Sequence, residues 1–247
     1  MIELKTPSEV DAMRRIGRIV AGLLAHVADL VRPGRKTKAL DEAAAAYLKA
    51  AGAQPAFLGY RGFPATICVS VNEEVVHGIP GPRTIRDGDL VSLDVGGLLE
   101  GWYADAATTV PVGSVPPEAR RLVEATQRAL DAGIACAIVG NRVSDISRAV
   151  QGVVEGAGFS AVREFVGHGI GHALHEDPPI PNFVPPHGGP RLAAGMVLAI
   201  EPMVTLGRSE VEVLRDGWTA VTRDRSLAAH VEHTVAVTEH GPEVLTR

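Results

Sequence analysis

The feature that most restricts what this chain of 247 residues can fold into is that its pattern runs twice. Val10, Met13, Ile16, Val20, Leu23, Leu24, Val27 and Val31 recur at helical spacing, which predicts a helix from about Pro7 to Val31, ended by Arg32-Pro33-Gly34. A second helix is expected from about Lys38 to Ala51, with Gly52 as its C-cap. The periodicity then changes to that of strands: Ile67, Val69 and Val71 alternate, and Leu90 to Val95 form an extended run after the turn Asp87-Gly88-Asp89. From about Arg120 to Val139, and again from Ser144 to Gly156, the helix pair returns. Gly34 and Gly52 are as far apart as Gly140 and Gly158, and Gly88 precedes Asp94 by the step that separates Gly195 from Glu201. His77-Gly78-Ile79 is echoed by His168-Gly169-Ile170. The reading is one catalytic domain, 1–247, of two pseudo-symmetric halves, about 1–110 and 115–240. Packing such halves about a pseudo-twofold axis sets Asp94 and Glu201 on opposite sides of one cleft. Hairpins and long helices without βαβ alternation predict an α+β fold, a central antiparallel sheet with its helices on one face.

Composition excludes several classes. Apolar residues at 46% and charged residues at 21% describe a globular chain. A net charge of −5 offers no basic face for nucleic acid. No apolar run is long enough to cross a bilayer, and Met1-Ile2-Glu3-Leu4-Lys5 lacks the apolar core of a signal peptide. Instead Thr6-Pro7-Ser8-Glu9 reads as a capping box that opens the first helix. With only Cys68 and Cys136, a reducing, cytoplasmic setting is expected.

The chemistry lies in acids placed where apolar strands should be. Asp94 is read as ending the run Leu90–Leu93, and Glu201 as ending Met196–Ile200. Asp105 is expected on the next strand of a hairpin from Asp94, and Glu232 in the β-like stretch His230–Val237. A buried carboxylate without a partner costs several kcal/mol, so four of them call for metal or pairing. His168, between two glycines, completes an oxygen-rich, hard set suited to Mn, Fe, Co or Zn. Five ligands exceed what one tetrahedral ion with an open position needs. They fit two divalent ions roughly 3.5–4 Å apart that hydrolyse a bond through a bridging hydroxide. Neither a phosphate-binding glycine loop nor a Gly-x-Ser-x-Gly elbow is present.

At these residues the chain resembles the bacterial-style, type I methionine aminopeptidases, the first subfamily of peptidase family M24. The resemblance is carried by Ser70–Pro80, Asp94-Val95-Gly96, Gly167–Gly171 with His175-Glu176, Ala199–Met203 and Glu232-His233-Thr234, in order along essentially the whole chain. It implies the "pita-bread" fold and Asp94, Asp105, His168, Glu201 and Glu232 as metal ligands. It also implies His77 at the substrate's amino end, His175 at the scissile carbonyl, and Glu201 as proton acceptor besides ligand. Tyr60, Phe63, Cys68 and Trp218 are nominated as walls of a methionine pocket, with Phe57 and Leu174 beside them. Phe63 stands where the family often has Tyr, Leu174 where an aromatic is common, and His172 where Arg often follows the glycine; these departures touch pocket shape and leave the ligands alone. His172, His187, His230 and His240 are read as surface or loop residues.

The implied reaction removes the initiator methionine from nascent polypeptide N-termini, favouring a small second residue, by a monomeric enzyme. The ribosome is a further implied partner, although no basic patch demands it. Two rivals share the scaffold. An aminopeptidase P or prolidase would use the same ligands, but such relatives usually carry a further domain where this chain starts its first helix. A binding module that had lost its metals would lack the ligands.

Overall fold

The computed structural model describes residues 2–247. Helix α1 spans Pro7–Asp29 and opens on the expected capping box, with the Thr6 hydroxyl accepting from Glu9 N–H and the Glu9 carboxylate accepting from Thr6 N–H at 2.7 Å. Helix α2 is Thr37–Ala50. Strands β1 (Gln54–Pro55), β2 (Cys68–Val71), β3 (Glu74–Val76), β4 (Leu90–Leu99) and β5 (Trp102–Pro111) lead to α3 (Pro117–Ala135) and α4 (Val143–Gly156). Next come β6 (Ser160–Ala161), β7 (Gly167–Gly169), β8 (Glu176–Ile180), β9 (Val197–Ile200) and β10 (Met203–Thr205). The chain finishes with β11 (Val211–Val213), β12 (Ala220–Thr222), β13 (Ala228–His230), β14 (Glu232–Thr238) and β15 (Gly241–Val244).

Two expectations need correction. Asp94 does not end its strand. It lies inside β4, which pairs with β5 from Leu90↔Pro111 to Leu99↔Trp102, so the backbone ladder carries the acid through the middle of the sheet. The third helix begins earlier than expected, at Pro117, and ends at Ala135 rather than Val139. Its chain turns away at Cys136, whose carbonyl accepts from the Asn141 side chain at 3.0 Å, leaving Ile138 and Val139 exposed.

A nine-stranded antiparallel sheet organises the molecule, in the order β1-β4-β5-β14-β9-β7-β8, with β2 beside β4 and β15 beside β14. Because successive side chains alternate between faces, its register fixes which residues share a side. Gly96 pairs with Asp105, Ala107 with both Asp94 and Glu232, and Ala199 with both Thr234 and His168. Asp94, Asp105, Glu232 and His168 therefore share one face. The helices pack on the other. A Cβ at Gly97 would lie 2.9 Å from Ile16 of α1, and one at Gly133 of α3 lies 3.4 Å from Ile200 of β9. Fully buried Met13, Ile16, Val20 and Leu23 of α1 form one core layer behind β4 and β5. Leu122, Leu130, Ile146 and Val150 of α3 and α4 form another, together with Ile200 and Val235. Among the described residues no helix is long and apolar enough to cross a membrane.

Candidate metal centre

Each of five adjacent strands delivers one donor to the open face. Asp94 comes from β4, Asp105 from β5 and Glu232 from β14, while Glu201 follows β9 directly and His168 is the middle residue of β7. The donor atoms of Asp105, His168 and Glu232 all lie within 4.8 Å of one another. His168 Nε2 is 3.4 Å from Glu201 Oε1, and its Nδ1 meets the Gly169 carbonyl at 2.8 Å, which holds the ring in place. Thr234 pins Asp105 through its backbone: the hydroxyl accepts from Asp105 N–H at 2.9 Å and donates to Asp105 C=O at 2.8 Å.

Burial dominates the electrostatics. It lifts the Asp94 carboxyl to about 7, although hydrogen bonds with Asp105 and Cys68 pull the other way. Burial, then the charges of Glu232 and Asp94, raise Asp105 well above the usual carboxylate range. Glu201 and Glu232 are raised for the same reason, burial first and neighbouring acids second. His168 is held down to about 3 by burial and the nearby His175. One carboxyl oxygen each of Asp94, Asp105 and Glu232 is buried with no hydrogen-bond partner among the described residues. Buried polar atoms are rarely left so, and three converging orphans beside a neutral imidazole fit divalent cations.

The cluster floors a cavity of about 350 Å³. Phe57, Tyr60, Phe63, Cys68, Leu174 and Trp218 wall it, together with both other histidines of interest. Phe63 and Trp218 meet edge to face at 5.1 Å, and Cys68 pairs across the strand with Asp94. His77, in the left-handed region at φ 60°, sets its ring edge-on to Phe165 (5.3 Å) and Trp218 (6.3 Å). His175 stacks on Tyr60 at 5.2 Å, shares a 2.9 Å hydrogen bond with its hydroxyl through Nδ1, and lies 4.2 Å from the His168 ring. Desolvation, then the Arg61 and His77 charges, hold the His175 imidazole down to about 4.

His230 overturns its assignment to the surface. It is 2% exposed and lines the cavity, with Nε2 3.8 Å from Glu201 Oε2. The signal for it was the alternation itself, since it stands two residues before Glu232. Phe165, Val76 and Met203 also line the cavity without having been singled out, each on a short strand or turn too brief to show periodicity. His172, His187 and His240 are exposed as expected.

A sheet that gathers buried acids and one imidazole beneath an apolar cavity defines a metal-dependent hydrolase, and a match to the peptidases makes the class specific. The model of metallopeptidase family M24 matches residues 11–239, and the chain belongs to that family, in its methionine aminopeptidase branch. Methionine aminopeptidase 1 of Bacillus subtilis is 51% identical over 247 residues, covering 100% of both chains. The crystal structure of a methionine aminopeptidase from Thermotoga maritima superposes with a TM-score of 0.98 at 45% identity, again over 100% of each chain. Prolidase from Pyrococcus furiosus shares the fold alone, with a TM-score of 0.80 at 22% identity; the match covers 99% of this chain but 65% of that one.

Proposed function

We propose that this chain removes the initiator methionine from nascent polypeptides in the cytoplasm, as a single catalytic domain of two related halves, preferring a small second residue. The observation that carries the reading is the convergence of five donors, three of them with orphaned buried oxygens, on the floor of an apolar cavity. Two divalent ions of the Co, Mn, Fe or Zn type, held by Asp94, Asp105, His168, Glu201 and Glu232, would supply an acidified water and polarise the scissile carbonyl.

The remaining work falls to the chain's own side chains. Phe63, Trp218, Cys68 and Tyr60 enclose the methionine side chain, whose flexible thioether suits such a mixed apolar wall. His77, also depressed by burial, faces the substrate's amino end. His175 is neutral at pH 7. With Nδ1 accepting from the Tyr60 hydroxyl, its Nε2–H is free to donate to the scissile carbonyl oxygen. Glu201 lies between His168 and His230, where it takes the proton released by the attacking water and returns it to the leaving amine.

The test compares Met-Ala-Ser with Ala-Pro-Ser, using protein stripped by chelator and reloaded with Co, Mn, Fe or Zn in turn. Release of methionine by the reloaded protein, with little release of alanine, is expected. Faster cleavage of the X-Pro peptide, or full turnover by the stripped protein, would refute the reading.

A further inference from the structure

Between β7 and β8 the chain makes a tight loop, Ile170–His175, that carries Leu174 and His175 into the cavity. Two structures outside the cavity hold this loop. The tip of the β4–β5 hairpin is one: Tyr103 N–H donates to the Gly171 carbonyl at 2.9 Å, and the His172 ring lies 3.7 Å from that of Trp102. The other is an ion pair from the far end of the sequence. Lys5 Nζ donates to Glu176 Oε2, with the Lys5 side chain 3% and the Glu176 side chain 13% exposed. The other Glu176 oxygen accepts from Ala173 N–H at 3.1 Å, closing the loop on itself.

Lys5 is itself fixed on both sides. Its backbone N–H donates to the Gly195 carbonyl at 2.7 Å, and the next residue, Thr6, is the N-cap of α1. Gly171 has no room for a side chain, since a Cβ there would run into Lys5 Cε. A lysine taken almost entirely out of water is costly unless its partner is exact in place. Here the partner is the residue that follows His175.

We propose that Lys5 and Glu176 are positioning residues for His175: the buried pair clamps the 170–175 loop so that the imidazole stands beside His168 and against Tyr60. The inference rests on the reading that His175 meets the scissile carbonyl. A misplacement on the order of 1 Å in such a contact costs about a hundredfold in rate.

The test uses metal-loaded full-length protein and Met-Ala-Ser. Lys5→Met should lower kcat about ten- to hundredfold with KM within about threefold, and Lys5→Arg should recover most of the loss. Placing Lys5→Met on His175→Asn should make the enzyme no slower than His175→Asn alone, because the clamp acts through that ring. Should Lys5→Met fail to fold by circular dichroism, Lys5→Met/Glu176→Gln removes both charges, keeps an oxygen for Ala173 N–H, and is expected to show the same kcat loss. Unchanged kcat in the folded variants, or losses that multiply in the double variant, would overturn the clamp while a slow His175→Asn left the role of His175 standing. A fully active His175→Asn would instead overturn that role, and the clamp with it.

Discussion

Stripping the metal and returning it at controlled pH tests the electrostatics of the cluster directly. At pH 7 the Asp94 carboxyl, raised to about 7, carries about half a proton, and Asp105, Glu201 and Glu232 are raised in the same direction by burial and by neighbouring acids. His168, held near 3, is already neutral and gives up none. Since metal ligands must be deprotonated, filling the site at pH 7 should expel protons, about half of one of them from Asp94. Each proton released multiplies affinity about tenfold per pH unit, or about 1.4 kcal/mol, so Asp94 alone should tighten binding about threefold from pH 6.5 to 7.5, and the other raised acids act in the same direction. The assay is titration calorimetry of the stripped protein with Mn or Co in two buffers of very different ionisation heat; the difference in apparent enthalpy counts the protons. The same shifts set the stability of the stripped form. Acids raised on folding contribute stability that is present below the ordinary carboxyl range and is lost as pH rises through their raised values. His168 and His230, both depressed to about 3, act in the opposite sense between pH 6.5 and 3, so the interval above pH 6.5 isolates the acids. The stripped protein should therefore lose melting temperature as pH rises through 7, while the loaded protein does not. Identical binding heats in both buffers at pH 7, as carboxyls of ordinary pKa near 4 would give, would refute the reasoning.

Three further outcomes follow from particular contacts. Glu232→Gln should lower kcat/KM by at least about a hundredfold while raising the melting temperature of the stripped protein at pH 8, because one buried raised acid is gone. His230→Ala should weaken metal binding about ten- to hundredfold in a competition assay, as expected for a group that faces the proposed ligand Glu201 without being one itself. Thr234→Val should cost about 1–3 kcal/mol in urea unfolding, since both backbone groups of Asp105 lose their buried partner.

The elements that could be read in the sequence are those with long periodicity. The stripe from Val10 to Val27 announces α1, and the Thr6–Glu9 box its start, because both depend on residues within a few positions of each other. The acids were legible for a different reason: charge inside an apolar run violates the pattern and so stands out. What was hidden lies in register. That Ala107 faces both Asp94 and Glu232 depends on pairing β5 with β14 across 125 residues, which no local rule reports. His230 was misjudged because the strand breaks at Val231 between β13 and β14, so the two-residue step from His230 to Glu232 was not carried across as one face. The Lys5–Glu176 pair, 171 residues apart, left no trace in composition or spacing.

The order of strands in the sheet has a consequence for biosynthesis. β14, made after every other strand of the row, lies between β5 and β9 and supplies Glu232 at the centre. Until β14 emerges, β4 with β5 and β9 with β7 have no common neighbour, and Asp94 and Asp105 cannot meet Glu201 and His168 in one sheet. A chain whose synthesis has stopped short of β14 thus lacks the joined row of donors, and the site proposed above can form only once that strand is in place.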